Sequence, residues 1–320
     1  MSEDKSVAND RIMRGLIEGG RARLVVVTAT QAVREMAVRH HNMTGIPAVA
    51  LGRAALCGLL LATLTKDEEQ VTLQVLGNGP LGGVTVDARS SGRVRGFVKR
   101  PLAMPWDPKV ATISAATPRI ALGHAIGKQG IVGVTRDLGL AQNYNGQVAI
   151  SSGEIDEEVE QYLNTSEQID SVLHCDTLVN SAGEVTAAAG LLAQTLPQAR
   201  GAAVVEFLRD VLRGPAFTAV LGEALAKGKI DPTSIARAAL GQCADGMRAL
   251  DERPVSFFCP CSRERAASTL GMLSQEDLKE MILETNEAEV TCNFCGGQYR
   301  FTEVELERIR RKREKIHPEG

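Results

Sequence analysis

The sequence predicts an α+β protein, with a β-rich core around one buried helix, then a helical linker, then a small C-terminal domain built on cysteines. Three observations lead there. Strand-like segments follow one another as a meander broken by turn residues, not in the alternation with helices that βαβ winding requires. One segment of helical length, roughly 47–65, is apolar on nearly every side. Four of the seven cysteines gather in two tight pairs near the C-terminus. At 320 residues the chain divides into a core over 1–198, a linker over 199–256 and a terminal domain over 257–320.

The elements can be justified in order. Residues 23–29, with Leu24 and three consecutive valines, read as a β-branched strand. Thr30 stands where an N-cap would open a helix running to about His40. The Gly45-Ile46-Pro47 turn then starts the apolar helix, in which Val49, Leu51, Leu56, Leu59, Leu60 and Leu64 leave no polar face, so it should be buried all round. Strands are expected at 70–76, 83–88 and 93–99, separated by Gly77-Asn78-Gly79-Pro80 and Ser90-Ser91-Gly92. Residues 101–118 read as an irregular crossing loop, and β character returns at 119–126, 130–135 and 147–151. Residues 153–166 form a helix with its acidic residues early, where they suit the dipole. Strands at 169–178 and 184–192 complete the core.

From Ala199 to Pro254 the strand signal stops. Leu208, Val211 and Leu212, then Val220, Leu221, Ala224 and Leu225, then Ile235, Ala238, Ala239 and Leu240 recur at helical spacing, broken by Gly214-Pro215 and Asp231-Pro232. Helices this short are marginal in water and need a surface to lie on. Such a connector between a core and a metal site is suited to switching.

Cys259-Pro260-Cys261 and Cys292-Asn293-Phe294-Cys295 offer four sulfurs in two pairs, the donor set of one tetrahedral zinc site per chain. The closeness within each pair also permits disulfide chemistry. A static zinc knuckle is the plainer reading. Cys57, Cys175 and Cys243 are scattered singly, and Cys57, in an apolar run, reads as a small buried hydrophobe. An odd cysteine count with isolated members is no secreted disulfide framework. The N-terminus has no apolar signal region, and the longest uncharged apolar run, 54–64, is too short to span a bilayer. The expected compartment is reducing cytoplasm. No membrane association is expected.

Other chemistries find little support. The net charge of −3, with 10 Lys+Arg against 12 Asp+Glu after residue 256, argues against nucleic-acid binding. The basic run 308–315 reads as a solvated helix end. Gly123 to Gln129 falls one residue short of a phosphate loop and ends on Gln129 where Ser or Thr belongs, so no ATP site is expected. His40, His41, His124, His174 and His317 form no metal-type pair, and His174 and Cys175, adjacent on a strand, should face opposite sides. Cys292–Cys295 lies too near the terminus for a thioredoxin-like role. No catalytic constellation emerges, and the chain is not read as an enzyme.

The run Cys259-Pro-Cys-Ser-Arg-Glu-Arg265, followed by Cys292-Asn-Phe-Cys295-Gly-Gly-Gln-Tyr-Arg-Phe301, resembles the C-terminal signature of the redox-regulated chaperone family heat-shock protein 33, or 33 kDa chaperonin. Leu76–Pro80, Ser166–Gln168 and Ala188–Leu192 with Pro197 are similar to core segments of that family, in the same order. The resemblance implies a cytoplasmic, ATP-independent holdase for unfolding or oxidatively damaged clients. It implies that Cys259, Cys261, Cys292 and Cys295 bind zinc in the reduced, inactive state. It further implies oxidation to Cys259–Cys261 and Cys292–Cys295 disulfides with zinc release, linker loosening, and dimerisation of the oxidised form. Arg263, Arg265 and Arg300 are candidates to offset the charge of a four-thiolate centre.

Overall fold

The structure, a computed structural model, describes residues 10–65, 69–107, 119–137, 144–197, 199, 203–212 and 215–316. They form an α+β chain of two compact units, Met1–Phe258 and Cys259–Gly320.

The first unit holds two sheets. The five-stranded sheet comprises β1 (Arg11–Ile17), β2 (Ala22–Thr28), β8 (Ser171–Val179), β9 (Val185–Thr195) and β10 (Arg248–Pro254), in the order β10-β1-β2-β9-β8. The six-stranded sheet comprises β3 (Gln70–Gly77), β4 (Val84–Arg89), β5 (Arg93–Val98), β6 (Gly130–Asp137), β7 (Tyr144–Ala149) and β11 (Ser256–Phe257), in the order β11-β5-β4-β3-β6-β7. Following β2 come α1 (Thr30–Arg39) and the apolar helix α2 (Ile46–Ala62). α2 packs against β2, β8 and β9 of one sheet and β3, β4 and β5 of the other. Held between two sheets, it needs no polar face, which is why every position from Pro47 to Ala62 is buried.

The five-stranded sheet is apolar on both faces. On β2, Val25 and Val27 join the core around α2, whereas Leu24 and Val26 point into a second core. That second core is closed by α5 (Ala203–Val211), α6 (Pro215–Ala226) and α7 (Pro232–Leu240), through Leu208, Leu212, Phe217, Leu221, Ile235 and Leu240. The short helices of the expected linker therefore have the surface they need. The other α-helices of this unit among the described residues are α3 (Gly123–Ile126) and α4 (Ile155–Thr165).

Three local expectations are corrected. Residues 119–126 are not a strand, because 123–126 turn as α3, whose first amides are drawn to a carboxylate: Leu122 and Gly123 donate to Glu154 Oε1 at 2.6 and 3.1 Å. Thr30 does not cap α1. Its hydroxyl accepts from the Ala188 amide at 3.0 Å, while Asp10 accepts from the Ala32 amide at 2.8 Å and takes the capping role from a distant segment. The strand signal does not end at Ala199, since β10 pairs antiparallel with β1. β10 is a charged edge strand held by Arg14–Asp251 at 2.7 Å, so no apolar alternation announces it. The expected loop at 101–118 is described only to residue 107, where it makes turns, and 108–118 lie outside the described residues.

α4 seals the outer edge of β8. Asn164 Oδ1 accepts from the Ser171 amide at 2.9 Å, Glu160 Oε2 from Leu173 at 2.7 Å, and Asp156 Oδ2 from Cys175 at 3.3 Å. Four residues of helix rise about 6 Å and two residues of strand about 6.6 Å, so acceptors at i, i+4, i+8 match amides at j+4, j+2, j of the oppositely running strand. Of the early acidic residues of α4, Asp156 and Glu158 thus serve as buried partners, whereas Glu157 stays exposed as a dipole charge. Glu158 likewise folds back onto the amides of Ser151, Ser152 and Gly153 at 2.9, 2.7 and 2.9 Å.

Arg53 of α2 is fully buried and reaches Asp176 Oδ1 at 2.9 Å, Glu154 Oε2 at 2.7 Å and the Ile120 carbonyl at 2.7 Å. Arg119 joins through Asp156 at 2.5 Å. Burial works to raise the Asp156 carboxyl, but Arg119 and Arg53 hold it below the usual carboxylate range. Asp176 also accepts from the Thr218 hydroxyl of α6, which ties that helix to this network.

The second unit contains α8 (Arg263–Leu270), α9 (Gln275–Thr285), the hairpin β12 (Glu287–Thr291) and β13 (Gln298–Thr302), and α10 (Glu303–Ile316). Its apolar cluster is small, centred on Ala266, Leu270, Ala288, Phe301 and Leu306. No helix among the described residues is long and apolar enough to cross a membrane.

Candidate metal centre

Local structure brings the two cysteine pairs together. Cys259 and Cys261 immediately precede Ser262, which caps α8 by accepting from the Arg265 amide at 3.3 Å. Cys292 and Cys295 form the tip of the β12–β13 hairpin. There the Cys292 amide donates to the Gly297 carbonyl at 2.9 Å and the Gly296 amide to the Cys292 carbonyl at 2.8 Å. Gly296 takes φ +67°, the left-handed conformation that this tight turn requires.

The four sulfurs lie within 4.8 Å of one another, each partly buried. Cys261 to Cys295 is 3.2 Å and Cys259 to Cys292 is 3.7 Å. Four thiolates bound at about 2.3 Å to one ion stand about 3.8 Å apart, so the cluster has the dimensions of a tetrahedral site with all four positions taken by protein. The donor set is soft sulfur, which suits zinc and disfavours calcium or magnesium. An added Cβ at residue 297 would lie 3.3 Å from the Cys295 sulfur, so glycine lets the hairpin backbone approach the cluster.

The electrostatics come from the immediate neighbours. Burial opposes the Cys261 thiolate, but the Tyr299 hydroxyl, donating at 3.2 Å, and the neighbouring thiols bring its pKa down to about 7. Burial and the Cys261 sulfur push Cys295 up, and the bond to Cys261 raises Tyr299 to about 12. The cluster therefore favours negative charge on one sulfur even among like neighbours. Of the three arginines expected to offset the cluster's charge, Arg263 and Arg300 are engaged elsewhere and Arg265 is exposed. Arg263 bonds Glu305 at 2.8 Å and the Arg300 carbonyl at 2.7 Å, and Arg300 bonds Glu289 at 2.8 Å. Tyr299 is a partner of the cluster that the sequence reading missed, although its place four residues after Cys295 was available as a signal.

The other singled-out residues fall as follows. His174 stacks on Phe217 of α6 with centroids 6.3 Å apart, while Cys175 points the opposite way into the core around α2. Cys243 is exposed and Cys57 buried. The glycine-rich turn at Gly123 already has the Glu154 carboxylate on the Leu122 and Gly123 amides, and a negative group in that place opposes a phosphate. The buried group of Arg53, Arg119, Glu154, Asp156 and Asp176 was missed. One arginine inside an otherwise apolar helix was its signal, because a buried cation demands buried carboxylates.

Known proteins share this plan. Residues 10–302 match the family model described as Hsp33 protein. The chain is 33% identical to the 33 kDa chaperonin of Listeria monocytogenes over 94% of this chain and 98% of that one. It is 36% identical to the 33 kDa chaperonin of Lactobacillus helveticus over 95% and 98%. The solved structure of the 33 kDa chaperonin (heat shock protein 33 homolog) of Thermotoga maritima superposes with a TM-score of 0.79 at 28% identity, covering 96% of this chain and 99% of that one. With the family model spanning nearly the whole chain and both cysteine pairs, the protein belongs to the Hsp33 family of chaperones.

Proposed function

We propose that this chaperone is a cytoplasmic, redox-regulated holdase that keeps unfolding or oxidatively damaged proteins from aggregating, without ATP. The observation that carries the reading is the four-sulfur cluster in a unit whose apolar core is very small. Cys259, Cys261, Cys292 and Cys295 hold one zinc ion in the reduced, inactive protein. Zinc, when bound, keeps the sulfurs as thiolates and adds roughly 10–16 kcal/mol of apparent binding energy, as measured in small zinc peptides.

A unit with so few buried apolar side chains depends on that energy. Oxidation of the thiols to Cys259–Cys261 and Cys292–Cys295 disulfides removes the donors, so the ion is lost and the unit loosens. Only Phe258 separates β11 from Cys259, so disorder beginning at the cysteines is passed directly to the strands β11 and β10 and the helices before them. Undocking of α5–α7 bares the apolar face of the five-stranded sheet, from Leu24, Val26 and Leu191, as a surface for clients. The oxidised form is expected to dimerise through such surface, and neither nucleic acid nor membrane is a partner.

The test is an aggregation assay on a denatured client without ATP. Oxidised protein protects and reduced, zinc-loaded protein does not. Equal protection in both states would leave a chaperone without a redox switch. Peptide mapping of the oxidised protein adds a decision on pairing. Two sulfur contacts under 4 Å run across the pairs, Cys259 to Cys292 and Cys261 to Cys295, but Cys261 also interacts with Cys259 and Cys295 with Cys292 within the pairs, and short-loop closure favours links there. A map dominated by cross-pair links would overturn the paired mechanism.

A further inference from the structure

Two of the three cysteines outside the cluster meet in the core. Cys57 of α2 and Cys175 of β8, 118 residues apart in sequence, bring their sulfurs to 3.8 Å, with the Cys57 thiol donating. Both are fully buried. The niche is built for sulfur: Gly190 of β9 lies opposite Cys175, and a Cβ there would sit 2.7 Å from the Cys175 sulfur. Burial, then the Cys57 thiol and the Asp156 carboxylate, push the Cys175 thiol well up. In the folded core the pair is therefore shielded from solvent and protonated, a poor target for oxidants.

The strand that carries Cys175 has a removable cover. β8 is the edge of its sheet, with α2 on one face and α6 on the other, where Phe217 lies on His174 and Thr218 bonds Asp176. Residues 174 and 176 flank Cys175 on the opposite face, so loss of α6 does not bare the sulfur directly but removes the packing that holds β8 down on α2, and the niche opens as the strand loosens.

We propose that Cys57 and Cys175 are a second dithiol couple, closed by peroxide into a core disulfide that staples α2 to β8 once α6 has left. The Cys175 thiolate attacks peroxide, breaking the O–O bond to give a sulfenic acid and hydroxide. The Cys57 thiol displaces water from that sulfenic acid to form the S–S bond. In total, two thiols and one H2O2 give one disulfide and two waters, with two electrons passing from sulfur to oxygen. The stapling role rests on the undocking of α6 proposed above, whereas the existence of the couple does not.

The experiment uses the full-length reduced protein, treated with hydrogen peroxide in buffer, in sub-denaturing urea and in fully denaturing urea, then alkylated and mapped without reduction. Because urea opens the core here, the outcome does not depend on the fate of the C-terminal cluster, which the same map reports separately. The expected result is a Cys57–Cys175 link as the main product in sub-denaturing urea, and in buffer free Cys57 and Cys175 for as long as the same map shows the C-terminal cluster reduced. In full denaturant the links scatter to include Cys243. After urea removal, oxidised wild type unfolds at higher denaturant than identically treated Cys57→Ala or Cys175→Ala. Thiols that stay reduced in sub-denaturing urea, sulfinic acids in place of the link, or links to Cys243 as frequent as the core link would overturn the couple. A link that forms without any gain over both alanine variants would overturn the staple.

Discussion

At the scale of single residues, the cluster and the core make separable predictions. Cys259→Ser, Cys261→Ser, Cys292→Ser and Cys295→Ser should each lose zinc, while Cys57, Cys175 and Cys243 replacements keep one ion per chain, as measured by metal analysis of the reduced protein. Full retention in Cys261→Ser or Cys292→Ser would show that the ligand set is wrong. Asp10 offers a test by pH. Burial pushes its carboxyl from 3.8 up to about 6, against the pull of the Ala32, Gln31 and Thr30 amides. An acid raised on folding contributes stability that is complete below about 3.8 and lost as pH rises through about 6. Asp10→Asn keeps an acceptor for the Ala32 amide and removes that loss. Urea titrations should show the variant gaining on wild type across this window by about 3 kcal/mol at most. Parallel stability curves would rule the mechanism out.

At the scale of elements, the docking of α6 can be weakened without touching a cysteine. Phe217 is fully buried against the five-stranded sheet, and Phe217→Ala should cost about 3–5 kcal/mol. Reduced Phe217→Ala protein is expected to bind more apolar dye and to protect a client that reduced wild type does not. A less stable variant with no gain in protection would separate helix docking from chaperone activity. Elements also show what a sequence reveals. α2 and β2 were legible because burial on all sides leaves a compositional trace, an unbroken apolar helix and a run of valines. β10 was not, because an edge strand carrying Arg248, Asp251, Glu252 and Arg253 earns its place through backbone pairing and ion pairs with β1, which leave no alternation. α3 was hidden for a related reason: Glu154, some 30 residues away, decides how residues 122–126 turn. The gathering of Cys259, Cys261, Cys292 and Cys295 into one cluster that could hold a metal ion was legible, since two tight pairs carry their geometry in their spacing. The couple at Cys57 and Cys175 was not, because its partners come from a helix and a strand that only the fold brings together.

At the scale of the molecule, the division after Phe258 sets the decisive deletion. The shortened chain should retain Ser256 and Phe257, because β11 pairs in parallel with Arg93 and Val94 of β5. A protein of residues 1–258 should fold, by circular dichroism, and protect clients even under reducing conditions, with raised binding of an apolar dye. If it folds and protects nothing, the C-terminal unit itself grips clients, and the regulatory reading fails.

The seal that α4 lays along β8 bears on how such a chaperone handles its cargo. A misfolding chain seeks unpaired strand backbone on which to grow, and a sheet bared to receive it risks becoming the seed of the aggregate it is meant to prevent. Along β8, the outward amides at 171, 173 and 175 are already answered by Asn164, Glu160 and Asp156, and the Thr177 amide by Asp176. None of these bonds involves the helices whose departure exposes the face. At this border the protein offers a client greasy side chains and withholds a template, so a captured chain is held without being given a direction in which to polymerise.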